Sequence, residues 1–96
     1  MTRPAVLPVA LPAVLTQAQA QSVTDTLVKT LLANLAQGGQ AVVDASALTQ
    51  FDSSALAVVL ACRRAVLAQG GQLQVQGLPE RAQALARVYG VTDLLN

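Results

Sequence analysis

The stretch from Val42 to Ala57 constrains this chain more than any other. Ala41, Val42 and Val43 form an apolar run that closes on Asp44. A short polar connection follows. Asp52, Ser53 and Ser54 then stand at the mouth of an alanine- and leucine-rich segment. A continuous apolar run between glycines and a polar loop suits a strand buried on both faces. Such a strand needs helices to cover it, which points to an α/β architecture. The Asp-Ser-Ser triad puts hydroxyls at a helix N-terminus, where backbone N–H groups and the helix dipole favour negative charge. A phosphoryl group added there would meet that field, although Asp52 beside it would repel it.

The rest of the chain reads as alternating strands and helices. Residues 5–9 and 10–15 are short extended pieces, each demoted to an edge or a bend by its proline. From Thr16 the pattern turns helical. Thr16 and Gln19 have capping-box spacing, and Ser22 with Asp25 offers a second start. Leu27, Val28, Leu31, Leu32 and Leu35 make one apolar helix face. Asp25 and Lys29, four apart, form a solvated pair on the other side. Gln37-Gly38-Gly39 stops this helix. Residues 40–45 are a strand. Residues 53–69 are the longest helix, with Leu56, Val59, Leu60, Val66 and Leu67 towards the sheet. Gly70-Gly71 ends it. Residues 72–76 alternate, with Leu73 and Val75 on one face. Pro79 and Glu80 open the last helix. Leu85, Val88 and Tyr89 form its apolar side, Gly90 ends it, and residues 91–95 are a tail that packs back. Strand–helix–strand units of this length imply right-handed crossovers and a mostly parallel sheet.

Composition narrows the function classes. Ninety-six residues make one domain with one core. Formal net charge is +1, with no Lys/Arg runs and no aromatic platforms, so nothing argues for nucleic acid. Charged residues are only 11% of the chain, against about a quarter in most proteins. Much of the surface must therefore be Ala, Gln, Thr and Ser, which suggests either a face covered by a partner or an alanine-rich compositional bias. Histidine is absent, which removes the commonest general base and metal ligand. Cys62, the one cysteine, lies within an apolar helix and reads as a small core residue. No disulfide can form within the chain, which fits a reducing compartment. No acid–base pair, nucleophile system, metal site or phosphate loop stands out, so the chain reads as a non-enzyme without a cofactor.

Arg3, the apolar residues 5–15 and Ala18-Gln19-Ala20 have the outline of an export signal. Three features count against it. Arg3 is a single basic residue, Pro8 and Pro12 interrupt the apolar stretch, and cleavage after Ala20 would delete the first strands. No apolar run is long enough to span a bilayer.

Three segments together resemble the STAS domain family. They are Val42-Val43-Asp44-Ala45-Ser46, then Phe51-Asp52-Ser53-Ser54, then Gly70-Gly71-Gln72-Leu73 with Val75-Gln76-Gly77-Leu78. This fold is shared by anti-sigma-factor antagonists and by the small STAS subunit of bacterial lipid-transport ABC complexes. The likeness runs from about residue 13 to 95. It implies one STAS domain over residues 1–96, core about 5–95, with a mixed, mostly parallel sheet of about four strands and about three to four helices. In the antagonist branch, the serine after the motif's Asp is phosphorylated by a partner kinase, which maps to Ser53. In the lipid-transport branch, a hydroxyl residue there contacts the ABC ATPase, which again maps to Ser53. The family usually has glycine where this chain has Ala55, which adds a methyl where a partner would approach. The segment from Leu85 to Val91 looks more like the lipid-transport branch.

The central helix carries a second feature. Ala57, Ala61, Arg64, Ala65 and Ala68 make a smooth face of small side chains with one long cation. It is either a partner-docking surface or a solvated face built from a good helix former. The low charge of the chain favours docking. Asp52, Ser53, Ser54, Ala57, Ala61 and Arg64 are thus the expected partner-binding residues, with Ser53 the expected phosphorylation site. Asp52 or Ser53 also has a plain role in capping the helix. Asp44 reads as a buried turn-former for the loop that follows. At least one of Arg63 and Arg64 reads as a solvated end of the central helix, and Arg81 and Arg87 read as decoration of the last helix. The resemblance implies an interaction subunit in the cytoplasm, docked on the ATPase of a lipid-transport system and peripheral to the inner membrane through it. The alternative is a phosphorylation switch whose partner is an anti-sigma factor serine kinase. A third reading, the STAS tail of a sulfate-type transporter, is disfavoured because the chain starts at Met1 and has no membrane-length segment.

Overall fold

The computed structural model describes residues 8–95. Arg3 and residues 5–7 of the first extended piece lie outside them. The described elements run β1 (Val9–Ala10), β2 (Val14–Leu15), α1 (Gln17–Ala36), β3 (Ala41–Asp44), β4 (Gln50–Phe51), α2 (Ser53–Ala68), β5 (Leu73–Gln76) and α3 (Glu80–Val88). A 3-10 turn over Thr92–Leu94 follows.

The architecture is α/β, as the STAS resemblance implies. All described strand pairs are parallel, in a sheet of order β1-β3-β5 and a two-stranded sheet β2-β4. Val43 sits at the centre, in register with Val9 on one side and Val75 on the other. Ala41, Val42 and Val43 are buried, as expected for a strand covered on both faces.

The prolines decide where the chain changes sheets. β1 occupies the two residues after Pro8, and its ladder continues to the Leu11 amide, which donates to the Asp44 carbonyl at 2.9 Å. Pro12 has no N–H to extend that ladder. The chain then leaves for β4, where the Thr49 and Gln50 amides donate to the Ala13 carbonyl at 2.8 and 3.0 Å. The extended pieces therefore break inside Ala10–Leu15, at Pro12, rather than between Val9 and Ala10. β4 was not expected, because Gln50 and Phe51 have no strand-length pattern of their own.

α1 starts at Thr16. Gln19 Oε1 accepts from the Thr16 amide at 2.9 Å and from its hydroxyl at 2.8 Å. Ser22 lies within the helix, not at a second start. Asp25 accepts from Gln21 Nε2 at 2.9 Å, which fills its turn of the helix with a neutral donor. Leu27 and Leu31 are buried, with Val28, Leu32 and Leu35 half-buried beside them.

α2 packs against both α1 and β5. Its buried arc is accordingly wide: Ala55, Leu56, Val58, Val59, Cys62 and Val66. Leu56, Val59 and Val66 are where the periodicity put them. Leu60 is half-buried, and Leu67 is 44% exposed because it lies a full residue step past Val66, off that arc. In α3 the expected apolar side is not the packed one. Ala82 and Ala86 are buried, Leu85 is half-buried, and Val88 and Tyr89 are 80% and 58% exposed. The two methyls let α3 sit close to the core, and the end of the helix runs past it. The tail packs back through Leu95.

Candidate functional site

The site grows from the β4–α2 junction. Asp52 is the N-cap of α2, in extended backbone, and its Oδ1 accepts from the Ser54 amide at 2.8 Å. The Ser54 amide and then its hydroxyl hold the Asp52 carboxyl below its ordinary value of 3.8. Capping therefore falls to Asp52, and Ser54 is half-buried against it. Ser53, between them, is exposed, and its hydroxyl makes no hydrogen bond among the described residues.

Ala55 is buried at 2% exposure, part of the core. The methyl that replaces the family's glycine therefore points inward, away from any partner at Ser53. From Ser53 the stripe runs through exposed Ala57, half-buried Leu60 and Ala61, and exposed Arg64. Those steps of three and four residues place them along one side of the helix. Arg63 is half-buried.

Two cavities open at the mouth of α2. One, of about 560 Å³, is lined by Phe51, Asp52, Ser53, Arg81, Ala84, Leu85, Val88 and Tyr89. The other, of about 310 Å³, is lined by Ser53, Leu56, Ala57, Leu60, Tyr89 and Val91. Ser53 and Tyr89 are common to both. The fold thus brings α3 and its exposed Val88 and Tyr89 to the candidate site. Sequence reasoning missed this, reading those two residues as core. The signal available was an aromatic directly before a helix-ending glycine. Arg81 is not simple decoration either: its guanidinium carbon stands 5.1 Å from the centroid of the Phe51 ring.

Asp44 is a turn-former, as expected, but half-buried and not buried. Its Oδ1 accepts from the Ser46 amide at 2.9 Å, and the Ser46 amide and hydroxyl lower its pKa. Gly77 closes over that turn with a φ of 71°, and a Cβ there would lie 2.9 Å from Ser46 Cβ and 3.0 Å from Asp44 Oδ1. The Cys62 thiol is buried, and desolvation pushes it up to about 11, so it is neither exposed nor a ready thiolate. No helix among the described residues is long and apolar enough to cross a membrane.

The surface so assembled is an exposed hydroxyl, a small-residue stripe and two exposed apolar side chains. No curated protein matches the chain significantly. A family model described as "Mlab, STAS domain" matches residues 3–96. With that match over nearly its whole length, the chain belongs to the STAS domain family, whose members generally act as non-catalytic interaction modules.

Proposed function

We propose that residues 1–96 act as one STAS interaction subunit, which binds and stabilises the ATPase of a phospholipid-transport ABC system of the Mla type. It performs no catalysis of its own. Docking uses Asp52, Ser53, Ser54, Ala57, Ala61 and Arg64, and works in the cytoplasm against the inner membrane through the ATPase. The observation that carries this reading is the mouth of α2, where exposed Ser53 and exposed Tyr89 line both cavities. Apolar side chains left this open beside small residues suit close contact with a partner, since interface cores favour aromatics and exclude charge.

One observation favours a second reading. Ser53 is the first residue of α2, and its hydroxyl is free among the described residues. A phosphate there would sit near the helix N-terminus. The chain would then be an anti-sigma-factor antagonist, switched by a serine kinase. Asp52, ionised alongside, weakens that reading.

The test is a tagged pull-down from cytoplasm and from detergent-solubilised membrane, read by mass spectrometry. Recovery of an ABC ATPase with its permease supports the adaptor. Recovery of a soluble histidine-kinase-like protein, with phosphate on Ser53, reverses the order.

A further inference from the structure

We propose that Arg81 is a positioning residue for this mouth: stacked on Phe51, it latches α3 against the start of α2. The relevance to docking rests on the function proposed above; the latch itself is a property of the free chain.

α3 has few other holds at its first turn. Its N-cap is Pro79, which offers no side-chain cap. Its buried side chains are two methyls, Ala82 and Ala86. At its far end the Val91 amide donates to the Ala86 carbonyl at 3.0 Å, and Leu95 is buried in the core. The C-terminal end is therefore tied through the tail. The N-terminal end depends on Ala82, on half-buried Leu78 packed against the core, on Gln83 Nε2 donating to the Leu78 carbonyl at 2.8 Å, and on Arg81.

The position of Arg81 is informative. It reaches from α3 to Phe51, the residue directly before the Asp52 cap, at a distance that suits a cation over an aromatic face. The 560 Å³ cavity is lined by Phe51, Asp52 and Ser53 at the start of α2 and by Arg81, Leu85 and Val88, which helical spacing puts on one face of α3. The cation–ring contact thus ties the first turn of α3 to the residue before the α2 cap, at one end of that cavity. Without it, the first turn of α3 loosens against the start of α2, held by Ala82 and Leu78 alone on that side.

Amide hydrogen exchange on the full chain tests this, with Arg81→Met, Arg81→Lys and Phe51→Leu beside the wild type. Met keeps the stem and removes the charge, Lys keeps the charge, and Leu removes the ring. Arg81→Met and Phe51→Leu should each speed exchange of the α3 amides at 83–88 by about two- to fivefold, the scale of an exposed cation–π pair. Amides of α1 and β3 should keep their rates, and Arg81→Lys should return most of the protection. Unchanged α3 exchange in Arg81→Met overturns the latch. So does a rise shared equally with β3, which would signal general destabilisation. Capture of the ATPase is read on the same variants. If wild type captures none, the docking reading fails and the exchange data still decide the latch. If capture is normal while α3 exchange is unmoved, the latch fails and docking stands.

Discussion

Asp52 Oδ1 accepts the Ser54 amide at 2.8 Å, and this one contact caps α2 at its mouth. Asp52 and Ser54 are occupied with each other. Ser53 is left facing outward.

The same contact predicts an acid response. Asp52 and Asp44 are both held below 3.8, by Ser54 and Ser46 respectively. Near that pH the folded chain binds fewer protons than the unfolded one. Their stabilisation is therefore complete above the unfolded pKa and is lost as pH falls through the lowered folded values. The urea midpoint should hold steady down to about pH 5 and then decline. A variant with Asp44→Asn and Asp52→Asn should decline less steeply. An equal slope in both proteins would show that these carboxylates do not control acid stability.

Gly77 and Gly90 separate backbone strain from crowding. Both have positive φ, 71° and 69°. A Cβ at Gly90 meets open space, whereas one at Gly77 meets Ser46 and Asp44. Gly90→Ala should cost about 1–2 kcal/mol from the left-handed backbone alone. Gly77→Ala should cost clearly more and disturb the Asp44–Ser46 turn. Denaturant unfolding of both variants checks the order.

Leu31 is fully buried in α1, while Val88 is 80% exposed in α3. Leu31→Ala should lose about 2–5 kcal/mol. Val88→Ala should change stability by no more than about 0.5 kcal/mol. A large loss at Val88 would mean that the end of α3 is packed.

Cys62 should be silent towards thiol reagents in the folded chain. It is fully buried and its thiol is raised to about 11. Labelling by a disulfide reagent at pH 8 should proceed only as fast as the chain opens, and should become rapid in denaturant. Fast native labelling would contradict the burial.

Ser53→Glu and Ala61→Arg should each lose most partner capture while keeping wild-type circular dichroism and melting. Both change the outward stripe of α2 without touching its buried arc. Wild-type capture by either variant would show that the partner docks elsewhere.

Local chemistry was legible from the residues. The Thr16–Gln19 start of α1, the Asp52 cap and the Asp44 turn each join residues two or three apart, so adjacent side chains and amides suffice to form them. The buried strand at Val42 and Val43 and the parallel α/β order followed from pattern alone. Less was legible where burial depends on a second element. Leu67 and Val66 look alike in sequence, yet only contact with α1 and β5 decides that Val66 goes inside.

The sequence by itself thus determined where α2 and α3 start, which strand is central and which hydroxyls stand at the mouth of α2. Tertiary structure alone decided that β2, after Pro12, pairs with β4, that Ala55 turns its methyl inward, and that Ala82 and Ala86 rather than Val88 and Tyr89 hold α3 to the core. It also brought Tyr89 beside Ser53. The reason is range. Caps and turns are set by neighbours a few bonds away, whereas which of two apolar faces is buried is set by the surface that folding brings against it.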